Sequence, residues 1–223
     1  MSNIKLVHSG GNSVSLTTPD SNPAANRTFK LPGADGTSGQ AMVTDGSGAL
    51  SFASMPSVAG ITMLDQWYVS TTQSASGNAA ITLDTDFIRV SGNVPTAGHI
   101  GTGMTKSSGG IFSFPSTGIY HIRFVACVMI NSGSTGNRYA QNPILTTHNN
   151  STYVNRAMGL DGVDAISGES FGNPISDFIF DVTDITQNKC KFQIQSGESG
   201  WSTYNPDTAR IHTNVIFTRI GDT

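Results

Sequence analysis

Gly168–Glu169–Ser170–Phe171–Gly172 has the spacing of a serine nucleophile held on a sharp turn. That chemistry needs a strand before the serine and a helix after it, so that the hydroxyl stands clear of the sheet. Here Asn173–Pro174 and a strand pattern follow instead. In a chain with 25 glycines such a match arises easily by chance. Gly98, Gly101 and Gly103, followed by Lys106–Ser107, approach a phosphate-binding loop. Met104 and Thr105 break its spacing, and no helix pattern follows to offer an N-terminus to phosphate. The five histidines, His8, His99, His121, His148 and His212, lie outside ligand spacing of one another and of cysteine. His121 and His212 fall on strands, at a surface or interface. Asp161 and Asp164 in GLDGVDAIS have the oxygen donors that calcium prefers, but read better as Asp-turns. Asp177, Asp181 and Asp184 could supply the carboxylate pair of a glycoside hydrolase. Asp177 and Asp181 share one strand face and Asp184 starts a turn, so they read as solvated edge charges. The expectation is no catalytic residue, no metal site and no cofactor.

Trp201 and Tyr204 stand in the polar, turn-rich stretch ESGWSTYNPD. Exposed aromatics can stack on sugar rings, which makes them a candidate glycan contact. The competing expectation is that they cap the end of a β-structure or pack in a subunit interface, since large aromatics usually end up mostly buried.

The elements that must position these residues are strands. No window carries a sustained apolar i, i+3, i+4 pattern, whereas period-two alternation recurs. In Ile119–Ile130 one face reads Tyr120, Ile122, Phe124, Ala126, Val128, Ile130. The other reads Ile119, His121, Arg123, Val125, Cys127, Met129, polar at its start and apolar at its end. A strand apolar on both faces is covered on both sides, here by a sandwich core plus a subunit interface or by a covered barrel end. Phe178–Phe180–Val182, Cys190–Phe192–Ile194 and Ile211–Thr213–Val215–Phe217 alternate in the same way. Trp67–Thr71, Ala80–Leu83, Phe87–Val90, Gly110–Phe114 and Asn142–Thr147 are further candidates. Turn signals such as SSGG, PSTG and HNN separate them, the pattern of a sandwich or barrel.

Composition agrees. Charged residues are 12% of the 223, about half the usual share, and the net charge is −3. Lys and Arg are scattered, so no basic surface points to nucleic acid. The longest apolar run, Phe124–Ile130, is far too short to span a bilayer, and Met1–Asn12 has no apolar h-region, so neither membrane insertion nor a signal peptide is expected. Cys127 and Cys190 both fall in strand-like runs and read as buried thiols. A disulfide between them would need those strands to be neighbours.

Near residue 60 the composition changes. Before it apolar residues are thin and Gly, Ser, Thr and Asp dominate, with short alternating pieces at Val14–Leu16, Phe29–Leu31 and Leu50–Phe52. Thr44–Gly48, TDGSG, between Met42–Val43 and Leu50–Phe52, reads as a hairpin turn. A hairpin with so little apolar surface is marginal alone. The expectation is an arm over residues 1–58 that folds against a partner, followed by a knob over residues 62–223.

Two resemblances attach to these segments. VSLTTPDSNPAANRTFKLPGADGTSGQAMVTDGSGALSFA is similar to an N-terminal motif of structural proteins of tailed bacteriophages, especially marine ones. Met42 stands where a Leu is more usual. The resemblance implies a virion component attached through Leu31, Pro32, Asp35, Gly36, Gly39, Gln40, Thr44, Asp45, Gly46, Leu50 and Phe52 to the major capsid protein or to a tail or adaptor protein. It also implies a place on the virion surface after synthesis in the host bacterial cytoplasm. Residues 62–223 resemble the jelly roll of the C1q and tumour-necrosis-factor type, through FSFPSTGIYHIRF, with Gly118 and Tyr120 in a G-x-Y strand, and the closing IHTNVIFTRIGD. There Gly118 suits a tight turn and Tyr120 faces the core. This resemblance implies an all-β homotrimer packed by an apolar sheet face, with Val125 and Met129 as interface candidates. The calcium sites of that family do not carry over, because no matching carboxylate cluster is present. Together the expectations are a non-enzymatic virion knob on an arm, a capsid decoration protein, or alternatively a short tail appendage that binds a host-surface glycan through Trp201 and Tyr204.

Overall fold

A computed structural model describes residues 4–16, 19–21, 23–55, 60–75, 79–90, 99–130, 139–163, 168–197, 201–204 and 210–223. These residues form strands and no helix, and every strand ladder among them is antiparallel. Chain contacts divide the molecule into two units, Met1–Ala59 and Gly60–Thr223.

The larger unit is a jelly-roll sandwich. One sheet runs Ile175–Val182, Gly118–Val125, Asn214–Gly221, Met63–Val69, Phe87–Arg89. The facing sheet runs Val154–Gly162, Tyr139–Thr147, Lys189–Ser196, Ile111–Ser113, Thr105–Ser107, with Ile81–Thr82 also pairing to Lys189–Ser196. A four-stranded sheet, Ser170–Gly172, Val128–Ile130, Trp201–Thr203, Ser74–Ala75, continues the first at one end. Neighbouring strands are distant in sequence: Gly118–Val125 lies between Ile175–Val182 and Asn214–Gly221.

Period-two alternation places the core. Tyr120, Ile122, Phe124, Ala126, Val128 and Ile130 are all fully buried, as their shared face requires. Phe112 sits at the centre of an aromatic cluster, with ring centroids 5.1 Å from Trp67, 5.5 Å from Phe87, 5.5 Å from Phe192 and 5.2 Å from Phe217. Most of these contacts are edge-to-face, the geometry in which the positive ring edge meets the negative ring face.

Gly118 opens its strand at φ 142°, and a Cβ there would lie 2.7 Å from the Gly221 carbonyl oxygen. The glycine is therefore needed for close backbone approach, more than for the expected tight turn. Tyr120 is buried as expected and donates its hydroxyl to the Ser116 carbonyl at 2.9 Å.

The structure corrects several readings; His212, expected on a strand, precedes the strand Asn214–Gly221. Cys127 lies in a break between Gly118–Val125 and Val128–Ile130, not within a strand. The chain changes sheets there, and Thr213 Oγ1 accepts the Cys127 N–H at 3.0 Å. Both cysteines are free; Cys127 is half-buried and Cys190 buried, and burial raises both thiol pKa values. Asp161 belongs to the nine-residue strand Val154–Gly162 and not to a turn, and its Oδ2 accepts the Asn173 N–H at 2.6 Å. Asp164, its expected companion, lies outside the described residues.

Candidate functional site

The residues singled out for chemistry hold the fold. Ser170 is buried in Ser170–Gly172, opposite Ile130, and another strand, Ile175–Val182, follows. This is not the strand-to-helix turn a nucleophile elbow needs. Gly101 has φ 68°, and its Cβ position is 2.3 Å from the Thr62 carbonyl oxygen. At Gly103 a Cβ would meet Asp65 Oδ2 at 2.6 Å. These glycines let residues 101–104 lie against the first knob strand, while Gly98 falls outside the described residues. Lys106 donates to the Asp84 carbonyl oxygen at 2.7 Å and pairs with the Asp84 carboxylate at 3.2 Å. Among the described residues no group of three His, Cys, Asp or Glu side chains could hold a metal ion. Asp177 and Asp181 are exposed on one strand face. Asp184 Oδ1 closes a turn by accepting the Thr186 N–H and hydroxyl, each at 2.7 Å, and these bonds lower its pKa.

Trp201 is a correction. It is only 1% exposed, a core residue on a strand between Val128–Ile130 and Ser74–Ala75. An indole buried this way cannot stack on a sugar; the packing expectation describes it. Tyr204 is half-buried, edge-on to Phe171 at 4.9 Å and to His212 at 5.4 Å.

In the arm, the motif residues have internal work. Gln40–Thr44 and Leu50–Ser54 form the expected hairpin, with Met42 opposite Phe52. Asp45 Oδ1 accepts the N–H groups of Ser47 at 2.8 Å and Ala49 at 3.0 Å. Chiefly through Ser47 and then Ala49, these bonds lower the Asp45 pKa. Thr44 Oγ1 accepts the Gly46 N–H at 3.1 Å. Gly46 and Gly48 adopt φ 80° and 102°, and a Cβ on Gly48 would lie 2.4 Å from the Thr28 carbonyl oxygen. Gln40 Oε1 accepts the Thr37 N–H at 2.8 Å, and Gly39 has φ 84°. The Phe52 ring occupies the space beside Gly36, 2.7 Å from where a Cβ would be. Lys30 adds a third backbone segment: its N–H donates to Gly48 O and its carbonyl accepts the Leu50 N–H, both at 2.8 Å. So Gly36, Gly39, Gln40, Thr44, Asp45, Gly46, Leu50 and Phe52 shape the hairpin, and Pro32 is half-buried. Around this hairpin, Phe29, Leu31, Met42, Val43 and Met55 are left outside, with Leu31 at 76% exposure.

The knob carries a second surface, the outward face of the sheet that starts with Ile175–Val182. Ile175 lies opposite Val125, Asp177 opposite Arg123, and Ile179 opposite His121. Ile216, Leu64, Tyr68 and Ile88 continue this face on the next strands. Ile175 is 45% and Ile179 54% exposed, and Val125 and Met129 are half-buried. Asp177 on this face has two neighbours, His121 Nε2 at 2.8 Å and Arg123 Nη1 at 3.9 Å from its carboxylate, while Asp181 on the same face is exposed.

No family model matches the chain, and no curated protein matches it. Among solved structures it is similar to an Eiger TNF from S. frugiperda, at TM-score 0.52 and 11% identity, over 74% of this chain and 96% of that one. Murine APRIL at pH 5.0 aligns at TM-score 0.47 and 9% identity, over 71% of this chain and 98% of that one. Identity this low speaks to fold alone, and the fold is a jelly roll of the TNF and C1q type.

Proposed function

We propose that this chain is a non-enzymatic structural protein of a tailed-bacteriophage virion: three knobs associate through the outward sheet face, and the arms fix the assembly to the particle surface. The observation that carries the proposal is that face. It presents Ile175, Ile179, Val125, Ile216 and Tyr68, and Asp177 among them is already met by His121 and Arg123. The part of the face around Ile175, Val125 and Asp177 can be buried without stranding that carboxylate, with Asp181 left toward its edge opposite Ile119. Val125 and Met129 lie at its rim in this reading, and Phe171, 43% exposed and opposite Met129, extends it.

The virion assignment rests on the resemblance of the arm. Phe29, Leu31, Met42 and Val43 are the docking contacts, and the motif's glycines, Asp45 and Gln40 hold the shape that presents them. Head decoration is favoured over a tail appendage, because a decoration protein needs an arm and a compact knob but no long shaft. A glycan-binding tip loses one of its two aromatics with the burial of Trp201.

Light scattering at micromolar concentration is expected to give three chain masses, and a single mass overturns the sheet-face contact. Gold-labelled antibody against the knob, viewed on intact particles, is expected over the head. Label confined to the tail reassigns the protein to adsorption, and unlabelled particles overturn the virion reading.

A further inference from the structure

The arm begins with a hairpin separate from the motif hairpin. Ile4–Val7 pairs with Ser13–Leu16, with Ile4 opposite Leu16 and Leu6 opposite Val14. Opposed residues share a face, so these four aliphatic side chains form one surface, while Lys5, Ser15, Val7 and Ser13 form the other. Ile4, Leu6, Val14 and Leu16 are 64%, 65%, 70% and 67% exposed. A two-stranded hairpin with a bare apolar face is marginal in water and needs further strands or a packing partner.

We propose that the occupant of this face is the same face of the other copies: three hairpins pack through Ile4, Leu6, Val14 and Leu16 into one small apolar cluster. This rests on the trimer reading above. The size of the surface argues for it. Four side chains are far fewer than the roughly 20–30 residues a side of a stable free-standing interface. A separate protein that the chain does not already hold elsewhere would not be held by so little. Copies already joined by their knobs meet at an effective concentration of about millimolar, where a small contact suffices. Charge argues for it too. The face carries none, Lys5 points from the opposite side, and His8 sits in the turn with Nδ1 accepting the Gly10 N–H at 3.0 Å. Closing three identical faces therefore brings no like charges together.

The test is oxidative cross-linking of the full chain. Half-buried Cys127 is replaced by Ser, and Cys190 is buried. Leu6→Cys and Val14→Cys each place a thiol on the apolar face, and Ser15→Cys places one on the opposite face. A disulfide requires Cα atoms within about 7 Å, so only faces in contact can link. The expected result is a trimer mass by light scattering, with covalent dimers at positions 6 and 14 about tenfold more abundant than at position 15. A trimer mass with equal or no linkage at the three positions overturns the hairpin contact and leaves the knob trimer standing. A single-chain mass without linkage overturns both.

Discussion

Asn142 cross-links the edge of the sandwich from within. It is fully buried, its Nδ2 donates to the carbonyls of Phe124 at 2.7 Å and Pro174 at 2.9 Å, and its Oδ1 accepts the Gly159 N–H at 3.1 Å. One amide thus ties strands of both sheets, with all its strong bonds made. Gly159 allows the approach: a Cβ there would be 2.3 Å from the Ile175 carbonyl oxygen. Asn142→Leu keeps the volume but strands the Gly159 N–H. A stability loss of at least about 1–3 kcal/mol follows, read as a lower urea midpoint at unchanged slope. An unchanged midpoint would mean that the edge is held by packing alone. Asp65 works similarly: Arg89 Nε donates to it at 2.9 Å, Trp67 Nε1 at 2.9 Å and the Met104 N–H at 2.7 Å. A buried carboxylate is tolerated because its oxygens are matched by a cation and by oriented N–H groups.

Among elements, the TDGSG turn has the clearest chemistry. The Asp45 carboxylate is stabilised by the Ser47 and Ala49 N–H groups, and its pKa is lowered. A depressed folded pKa adds stability that is fully present above the unfolded value, about 4, and is lost as pH falls through the folded value. The Ser47 and Ala49 amide resonances are therefore expected to move in acid with a midpoint below the ordinary aspartate value. In Asp45→Ala they should show no such titration, and the hairpin should be cut faster by protease at neutral pH. A midpoint at or above 4 would remove the turn bonds from the account. The turn was legible from sequence because its signals are local: an Asp, two glycines and flanking apolar pairs. The strand Val154–Gly162 was not. VNRAMGLDG has two glycines, an Asn and an Asp, and little alternation. Its partner Tyr139–Thr147 imposes the extended form through the ladder, a case of context overriding propensity.

For the whole molecule, the proposed trimer gives the sharpest expectation. Ile179 is 54% exposed between Asp177 and Asp181 on its strand face, so Ile179→Asp should leave the single chain folded. In the trimer it would bury an unpaired carboxylate among others. The expected outcome is one chain mass at micromolar concentration with an unchanged far-UV circular dichroism spectrum; a surviving trimer would move the interface elsewhere. The sheet face of the knob and the apolar residues around the motif hairpin are both outward groups. Their separation within the motif was hidden in sequence, where Leu31 and Phe52 look alike. Only the structure puts Phe52 against Gly36 and leaves Leu31 outside.

Sequence by itself determined the β class, the buried face of Tyr120–Ile130, the motif hairpin and the change in character near residue 60. Each of these is written in neighbours two residues apart or in a turn of a few residues, where sterics and hydrophobicity act locally. Tertiary structure decided which polar residues go inside and which aromatics stay out. Asp65 can be buried because Arg89 and Met104 arrive from later in the chain, and Trp201 is buried because its strand docks between Val128–Ile130 and Ser74–Ala75. Such partners are brought together by strand order, and strand order is set by how the whole set of faces can be buried at once.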